Sequence, residues 1–110
     1  MADDEAALTA LLARDREALL VAEQGGAIVG ALIAAWDGWR GNMYRLAVLP
    51  DRRRRGIALE LVRRGEERLR AKGARRVSAL VAGSEEGAAD LWRAAGYAHD
   101  QDVGRFVRNL

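Results

Sequence analysis

The stretch LAVLPDRRRRGIAL, residues Leu46–Leu59, constrains this chain more than any other. An apolar run closes at Pro50, a charged loop with one glycine follows, and then Ala58, Leu61, Val62, Gly65 and Leu69 recur at helical spacing. The segment reads strand, glycine-containing turn, helix. Such a junction leaves the first N–H groups of the helix unpaired and pointing outward at the positive end of its dipole, which makes an anion site. Gly56 supplies backbone angles that a side chain disfavours and lets a ligand approach the main chain. Arg52, Arg53, Arg54 and Arg55 place four like charges in the same turn, where they repel unless an anion offsets them. The expected ligand carries phosphate.

Charge is distributed unevenly along the chain. Residues 52–76 hold eleven of the eighteen basic residues against Glu60, Glu66 and Glu67, a local balance of +8, whereas residues 1–40 carry seven acids and three bases. On Arg63, Arg64, Arg68, Arg70 and Lys72 the positive charge reads as a solvated helix face. The full length of 110 residues, half of them hydrophobic and 31% charged, suits a single domain over residues 1–110 with one core. The absence of cysteine removes disulfides, thiolate metal sites and a cysteine nucleophile, and one histidine, His99, cannot build a histidine-rich metal centre; no metal is expected. The longest apolar stretch, Ala27–Trp36, is interrupted by Gly30 and is too short to span a bilayer. The opening MADDE lacks the basic and apolar regions of a signal peptide, so the cytoplasm is the expected location, and the richness in Ala and Arg suits a bacterial genome of high GC content.

The remaining pattern predicts a helix capped by Asp3 or Asp4 and running to about Arg16, with Ala7, Leu8, Leu11 and Leu12 on its buried side. Strands are predicted at Ala18–Glu23, Ala27–Asp37 and Met43–Leu49, joined by turns at Gln24-Gly25-Gly26 and Asp37-Gly38. A helix over Ile57–Ala71 stops at Lys72-Gly73. A strand at Arg76–Ala82, a short helix opened by Gly83–Glu86 and ending at Gly96, and a last strand at Val103–Val107 complete the order. The helical connection from Met43–Leu49 to Arg76–Ala82 is long enough for a parallel crossover, so a mixed sheet is expected.

The motif RRRGIA (Arg53–Ala58), preceded by VLPD (Val48–Asp51), resembles the GNAT N-acetyltransferase signature of Gln or Arg, two residues, Gly, any residue, then Gly or Ala. A second block, AADLWRAAGY (Ala88–Tyr97), resembles the later signature of that family, a short helix with an aromatic pair that ends in Gly and an aromatic residue. The resemblance covers roughly residues 18–110. It implies an α/β (α+β) fold: a mixed, mostly antiparallel sheet with helices on both faces and a splayed parallel strand pair. It further implies acetyl-CoA as co-substrate. Its pyrophosphate would lie on Arg53, Arg54, Arg55, Gly56, Ile57 and Ala58, and its pantetheine arm would bond to the backbone of Leu46, Ala47 and Val48 as an added strand, with Trp92 nearby.

Three departures from the family pattern stand out. Trp92 occupies the position where many members place a tyrosine that protonates the departing thiolate; an indole N–H is a donor but not a practical acid. Glu85 stands where an asparagine is common, and the opening strand and substrate-binding helices are shortened. The last point implies an exposed edge, for which a homodimer is one expectation. The chemistry implied is acyl transfer from a thioester to a primary amine, on a small molecule or a protein, by direct attack. The amine must lose a proton, and the candidate bases are Glu23, Asp37 and Asp90. Tyr44, beside the expected thioester position, is a candidate hydrogen-bonding partner of substrate, and Trp36 and Trp39 are candidate walls of an acceptor pocket. Tyr97 reads as core. Two other classes fit the same residues: a non-catalytic acyl-CoA-binding or interaction domain, and a basic nucleic-acid-binding module on Arg52–Arg76. The latter lacks the aromatic-and-basic interleaving of single-strand binders. No membrane partner is expected.

Overall fold

The computed structural model describes residues 5–81 and 87–110. The chain forms helix α1 (Glu5–Arg14), strands β1 (Leu19–Gln24), β2 (Ala27–Trp36) and β3 (Gly41–Val48), helix α2 (Ile57–Lys72), strand β4 (Val77–Ala79) and helix α3 (Ala88–Ala94). Single 3-10 turns precede β1 and follow β3. The sheet order is β1-β2-β3-β4, antiparallel through β3 and parallel between β3 and β4. This is the mixed sheet with a parallel pair that the sequence predicts.

Helix α2 covers one face of the sheet. Its apolar stripe, Leu61, Val62, Gly65 and Leu69, is buried against Leu32 and Ala34 of β2 and Met43 of β3. Three glycines set the spacing. A Cβ on Gly30 would stand 3.2 Å from the Ala47 carbonyl and 3.2 Å from Leu61; one on Gly41 would meet Leu69 at 3.1 Å; one on Gly65 would meet Met43 at 3.0 Å. Leu32, Met43, Val62 and Leu69 are fully buried at this contact, each contributing about 1.5–3 kcal/mol of transfer free energy. Arg68 ties the near end of the helix down: its Nε donates to the Ala34 carbonyl at 3.0 Å, and its Nη2 donates to Asp15. Gly73 closes the helix in the left-handed region, as the Lys72-Gly73 pair predicts.

A bulge interrupts β3. Ala31 pairs with Ala47 and Ile33 with Tyr44, so Leu32 faces two residues, Arg45 and Leu46, and Arg45 takes φ 58°. The extra residue reverses the alternation. Gly41 and Met43 face α2 before it, and Leu46 and Val48 pack toward the same core after it.

Several expectations need correction. The last strand, Val103–Val107, does not form: residues 103–110 have no strand partner, and Val103, Phe106 and Val107 are 71%, 100% and 75% exposed. A turn in which the Asp102 N–H donates to Asp100, itself held by Arg76, precedes that segment, and β strands without a ladder gain little from β propensity alone. The strand at Arg76–Ala82 is reduced to Val77–Ala79, because β3 bulges away just beyond its pairing; Ala82 lies outside the described residues. Helix α1 ends at Arg14 and buries no residue fully: Leu8, Leu11 and Leu12 are half-buried and Ala7 is exposed. The expected caps Asp3 and Asp4, and residues Gly83–Glu86 with Glu85, lie outside the described residues.

Replacing Gly30 with valine should destabilise the fold by about 1–3 kcal/mol, because the nearest obstacle is the backbone of Ala47. In urea unfolding this appears as a lower midpoint at an unchanged slope.

Candidate active site

The glycine-containing turn between β3 and α2, where phosphate is expected, forms the predicted strand–turn–helix junction. Gly56, at φ 81°, is the residue before the first turn of α2, and it lies open, with nothing within 4 Å of the point where a Cβ would stand. Glu60 N–H donates to the Gly56 carbonyl at 3.0 Å, which starts the helix ladder; the N–H groups of Ile57, Ala58 and Leu59 come before that ladder and face outward. The four arginines divide. Arg52 is half-buried and anchored: its Nε donates to Gln24 at 3.1 Å and its Nη1 to Asp51 at 2.9 Å. Arg53 reaches back to β3, where its Nε donates to the Val48 carbonyl at 3.2 Å. Arg54, at φ 64°, and Arg55 are exposed, and neither forms an ion pair among the described residues.

The parallel strands part next to this turn. Pairing runs from Gly41–Val77 to Met43–Ala79, and the Leu80 N–H to Met43 carbonyl bond, at 3.0 Å, is the last between them among the described residues. From Tyr44 onward β3 keeps only its β2 neighbour. Leu49 N–H donates to Val29 at 2.9 Å, and Ala47 pairs with Ala31. Alternation in an antiparallel ladder turns the Ala47 N–H and C=O toward β2, so the Leu46 carbonyl and both backbone groups of Val48 face the fork. Of the three backbone positions expected to meet a pantetheine arm, two present polar groups to the fork; the backbone groups of Ala47 are turned to β2 and its side chain is exposed on a face of the sheet.

Fork and glycine turn lie at the same end of the sheet. The chain matches the model of the acetyltransferase (GNAT) family over residues 1–97. It belongs to the GNAT acetyltransferase family. An acetyltransferase of Sodalis glossinidius is 35% identical over 101 residues, which is 92% of this chain and 71% of that protein. One of Yersinia enterocolitica is 43% identical over 79 residues, 72% of this chain and 56% of the relative. Among solved structures, the aminoglycoside antibiotic 6'-N-acetyltransferase of Acinetobacter haemolyticus superposes with a TM-score of 0.77 at 22% identity, covering 100% of this chain and 85% of that one. An aminoglycoside N-acetyltransferase solved in complex with CoA superposes at 0.70 with 19% identity, covering 96% and 90%. At these identities the structural likeness establishes the fold.

The catalytic candidates of this GNAT domain are placed far apart. Tyr44 is the first β3 residue beyond the last β3–β4 pair, on the face opposite α2. Burial is the main influence on its phenol and raises its pKa; Asp37 adds to this and Arg105 opposes it. The phenol therefore stays protonated at neutral pH and serves as a hydrogen-bonding group. Glu23 lies on β1, two strands and about 10 Å from β3, exposed near the opposite edge of the sheet. Asp90 is exposed in the first turn of α3, 3.6 Å from Arg93. Asp37 sits in the β2–β3 turn, at the far end of the sheet from the Gly56 turn, and accepts the N–H groups of Arg40 at 2.6 Å and Trp39 at 2.7 Å. Those two bonds hold its carboxyl below the ordinary range, so it is a weak base. Trp39 is exposed, with the Arg40 guanidinium 4.0 Å above its ring, whereas Trp36 packs against the core. Among the described residues no cluster of His, Asp or Glu is placed to hold a metal ion, and no helix is long and apolar enough to cross a membrane.

Trp92 is 7% exposed and lies in the core with Met43, Val62 and Leu69. Tyr97 meets its ring edge-on at 4.9 Å. Tyr97 is more than core packing. Its hydroxyl donates to Glu66 at 2.7 Å, Glu66 accepts Arg63 at 2.9 Å, and Arg63 also donates to the Ala95 carbonyl at 3.0 Å. This chain of bonds clamps α3 onto α2. The one sequence signal for it is the Arg63–Glu66 spacing of three on a helix. Burial and the Glu66 carboxylate both raise the Tyr97 pKa, so its phenol does not ionise in service of catalysis.

Burial alone would raise the Glu66 carboxyl, but the bonds from Tyr97 and Arg63 outweigh it and hold the pKa below its ordinary 4.5. A depressed folded-state pKa gives stability that is present above the unfolded value and lost as pH falls through the folded one. Tyr97→Phe should therefore cost about 1–2 kcal/mol at pH 7, and the difference from wild type should shrink below about pH 4.5, as chemical denaturation across pH would show.

Proposed function

We propose that this GNAT domain is an acetyl-CoA-dependent N-acetyltransferase that moves an acetyl group to a primary amine by direct attack. The observation that carries the reading is the meeting, at one end of the sheet, of a helix start with outward N–H groups and a strand fork whose Leu46 and Val48 backbone groups no neighbouring strand takes up. The outward N–H groups of Ile57 and Ala58, with the turn Arg53–Gly56, take the pyrophosphate. Arg54 and Arg55 add charge from the rim. The pantetheine arm enters the fork against Leu46 and Val48, displacing Arg53 from the Val48 carbonyl. That places the thioester near the Arg45 bulge, where backbone N–H groups polarise its carbonyl. The amine adds to the thioester carbon; the tetrahedral intermediate collapses with cleavage of the C–S bond; the amine proton leaves to water and the CoA thiolate departs. The relatives named as acetyltransferases, and the neighbour solved with CoA, support the cofactor. The neighbours named aminoglycoside N-acetyltransferases support an amine as acceptor.

In this reading Tyr44 orients the acceptor with its neutral phenol. Trp92 supports the cofactor site through packing alone, since it is buried and its neighbour's hydroxyl is engaged by Glu66. That burial also favours a second reading, an acyl-CoA-binding domain without turnover, and release of thiol in the presence of amines separates the two.

Gly56→Val should abolish acetyl-CoA binding in calorimetric titration while the circular dichroism stays native, because the side chain intrudes on the outward N–H groups and strains a left-handed backbone. Normal binding by the folded variant would overturn the site. Because Glu23 and Asp90 lie away from Tyr44, and Asp37, the candidate within Coulombic reach of it, is held by two backbone N–H groups, kcat/KM should rise with pH toward the acceptor amine's own pKa, for a lysine amine about 10.4. A plateau well below that value would restore Glu23 or Asp90 as a base acting through water.

A further inference from the structure

A groove of about 1530 Å³ borders the fork on the β4 side. It is larger than the few hundred to about 1,000 Å³ usual for small-ligand sites. Asn42, Ser78 and Leu80 are among its lining residues, and by strand alternation these lie on the Tyr44 face, opposite the core-packed Met43 and Ala79. The groove wraps the β4 edge, since Arg63 and Arg70 of α2 and Trp92 and Arg93 of α3 line it as well, and its Tyr44-face part gives an acceptor a route to the fork.

The charge of the groove is one-sided. Seven arginines line it against two carboxylates, Glu66 and Asp100. Both carboxylates are engaged, Glu66 by Arg63 and Tyr97, and Asp100 by Arg76 at 3.4 Å. Arg70, Arg75 and Arg105 have no ion pair among the described residues. Arg105 also lies within Coulombic reach of the Tyr44 phenol. The one carboxylate with comparable reach, Asp37, is bonded to two backbone N–H groups. Arg93 is balanced by Asp90 at 3.6 Å, so a polycationic acceptor entering here meets an excess of four positive charges, whereas an anionic one is drawn in.

Resting on the acetyltransferase reading, we propose that the acceptor is an amine flanked by carboxylates, as in an acidic amino acid or an acidic peptide, and that the arginine-lined groove beside β4 selects it against polycationic amines such as aminoglycosides. The chain thus shares its fold with aminoglycoside N-acetyltransferases while its acceptor side carries the opposite charge preference.

The test is thiol release from saturating acetyl-CoA with three acceptors: glutamate, a short acidic peptide with a free amine, and the aminoglycoside kanamycin. Calorimetric titration with acetyl-CoA runs in parallel. The expected result is a kcat/KM for one of the anionic amines at least about tenfold above kanamycin, a ratio that falls as salt is raised. The two anionic arms tell a free amino acid from a peptide. Arg105→Glu and Arg75→Glu are exposed changes with no core contact and should reduce or invert the preference without altering acetyl-CoA binding. Equal or better turnover of kanamycin, or a preference insensitive to both reversals, overturns the acceptor assignment while leaving the transferase reading in place. Failure of acetyl-CoA to bind the folded protein overturns the transferase reading itself, and the acceptor assignment with it.

Discussion

The arrangement depends on how closely α2 can lie on the sheet. Gly30 and Gly41 on the strands and Gly65 on the helix remove side chains at the points of nearest approach, and Leu61, Leu69 and Met43 fill the space that is left. A crossover helix seated this way returns its chain to a parallel neighbour, so β4 joins β3 with the same direction. The geometry then fixes the position of the helix start. The N-terminus of α2 follows the end of β3 after one short turn, so its outward N–H groups lie beside the carboxyl ends of both parallel strands. Moving the helix away by the width of a methyl group would loosen the core and separate the helix start from the fork.

Two non-glycine residues, Arg45 and Arg54, are held at positive φ, and they bracket this region. Such conformations cost about 1–3 kcal/mol each and persist where the surroundings over-determine them. At Arg45 the surroundings are the ladder with β2 on both sides of the bulge, and its effect is to let Leu46 and Val48 keep the buried side while β3 pulls away from β4. The shortness of β4 and the existence of the fork are thus one feature seen from two strands.

The sequence was informative where chemistry and chain direction coincide. An apolar run, Pro50, four arginines and Gly56 define the strand, turn and helix to within a residue or two, because each punctuates the backbone by a local rule. The bulge was not legible: Arg45 carries none of the glycine or asparagine signal that marks a left-handed residue, and its conformation follows from register with β2. The tail misled for a related reason. Val103, Phe106 and Val107 have strand-forming side chains, but a strand also needs an edge to join, which composition does not specify. Tyr97 was legible as a core residue but not as a donor to Glu66, a partner 31 positions away in sequence.

The arginine-rich turn shows how a chain can place four cations in succession beside a helix start. Four guanidinium groups in succession repel, and the structure relieves this by splitting them into an anchored pair and an exposed pair. Arg52 is fastened to the β1–β2 turn through Gln24, which fixes the loop to the sheet. Arg53 sits on the Val48 carbonyl, a group that would otherwise face the fork without a partner. Arg53 therefore links the two halves of the site. In the proposed acetyl-CoA site, an anion at the helix start would compete for its guanidinium and an amide in the fork for the carbonyl it covers, so occupation of either half would weaken the bond that covers the other. Coupling of this kind needs no movement of the helix or the strands, only one side chain exchanging a backbone carbonyl for a phosphate.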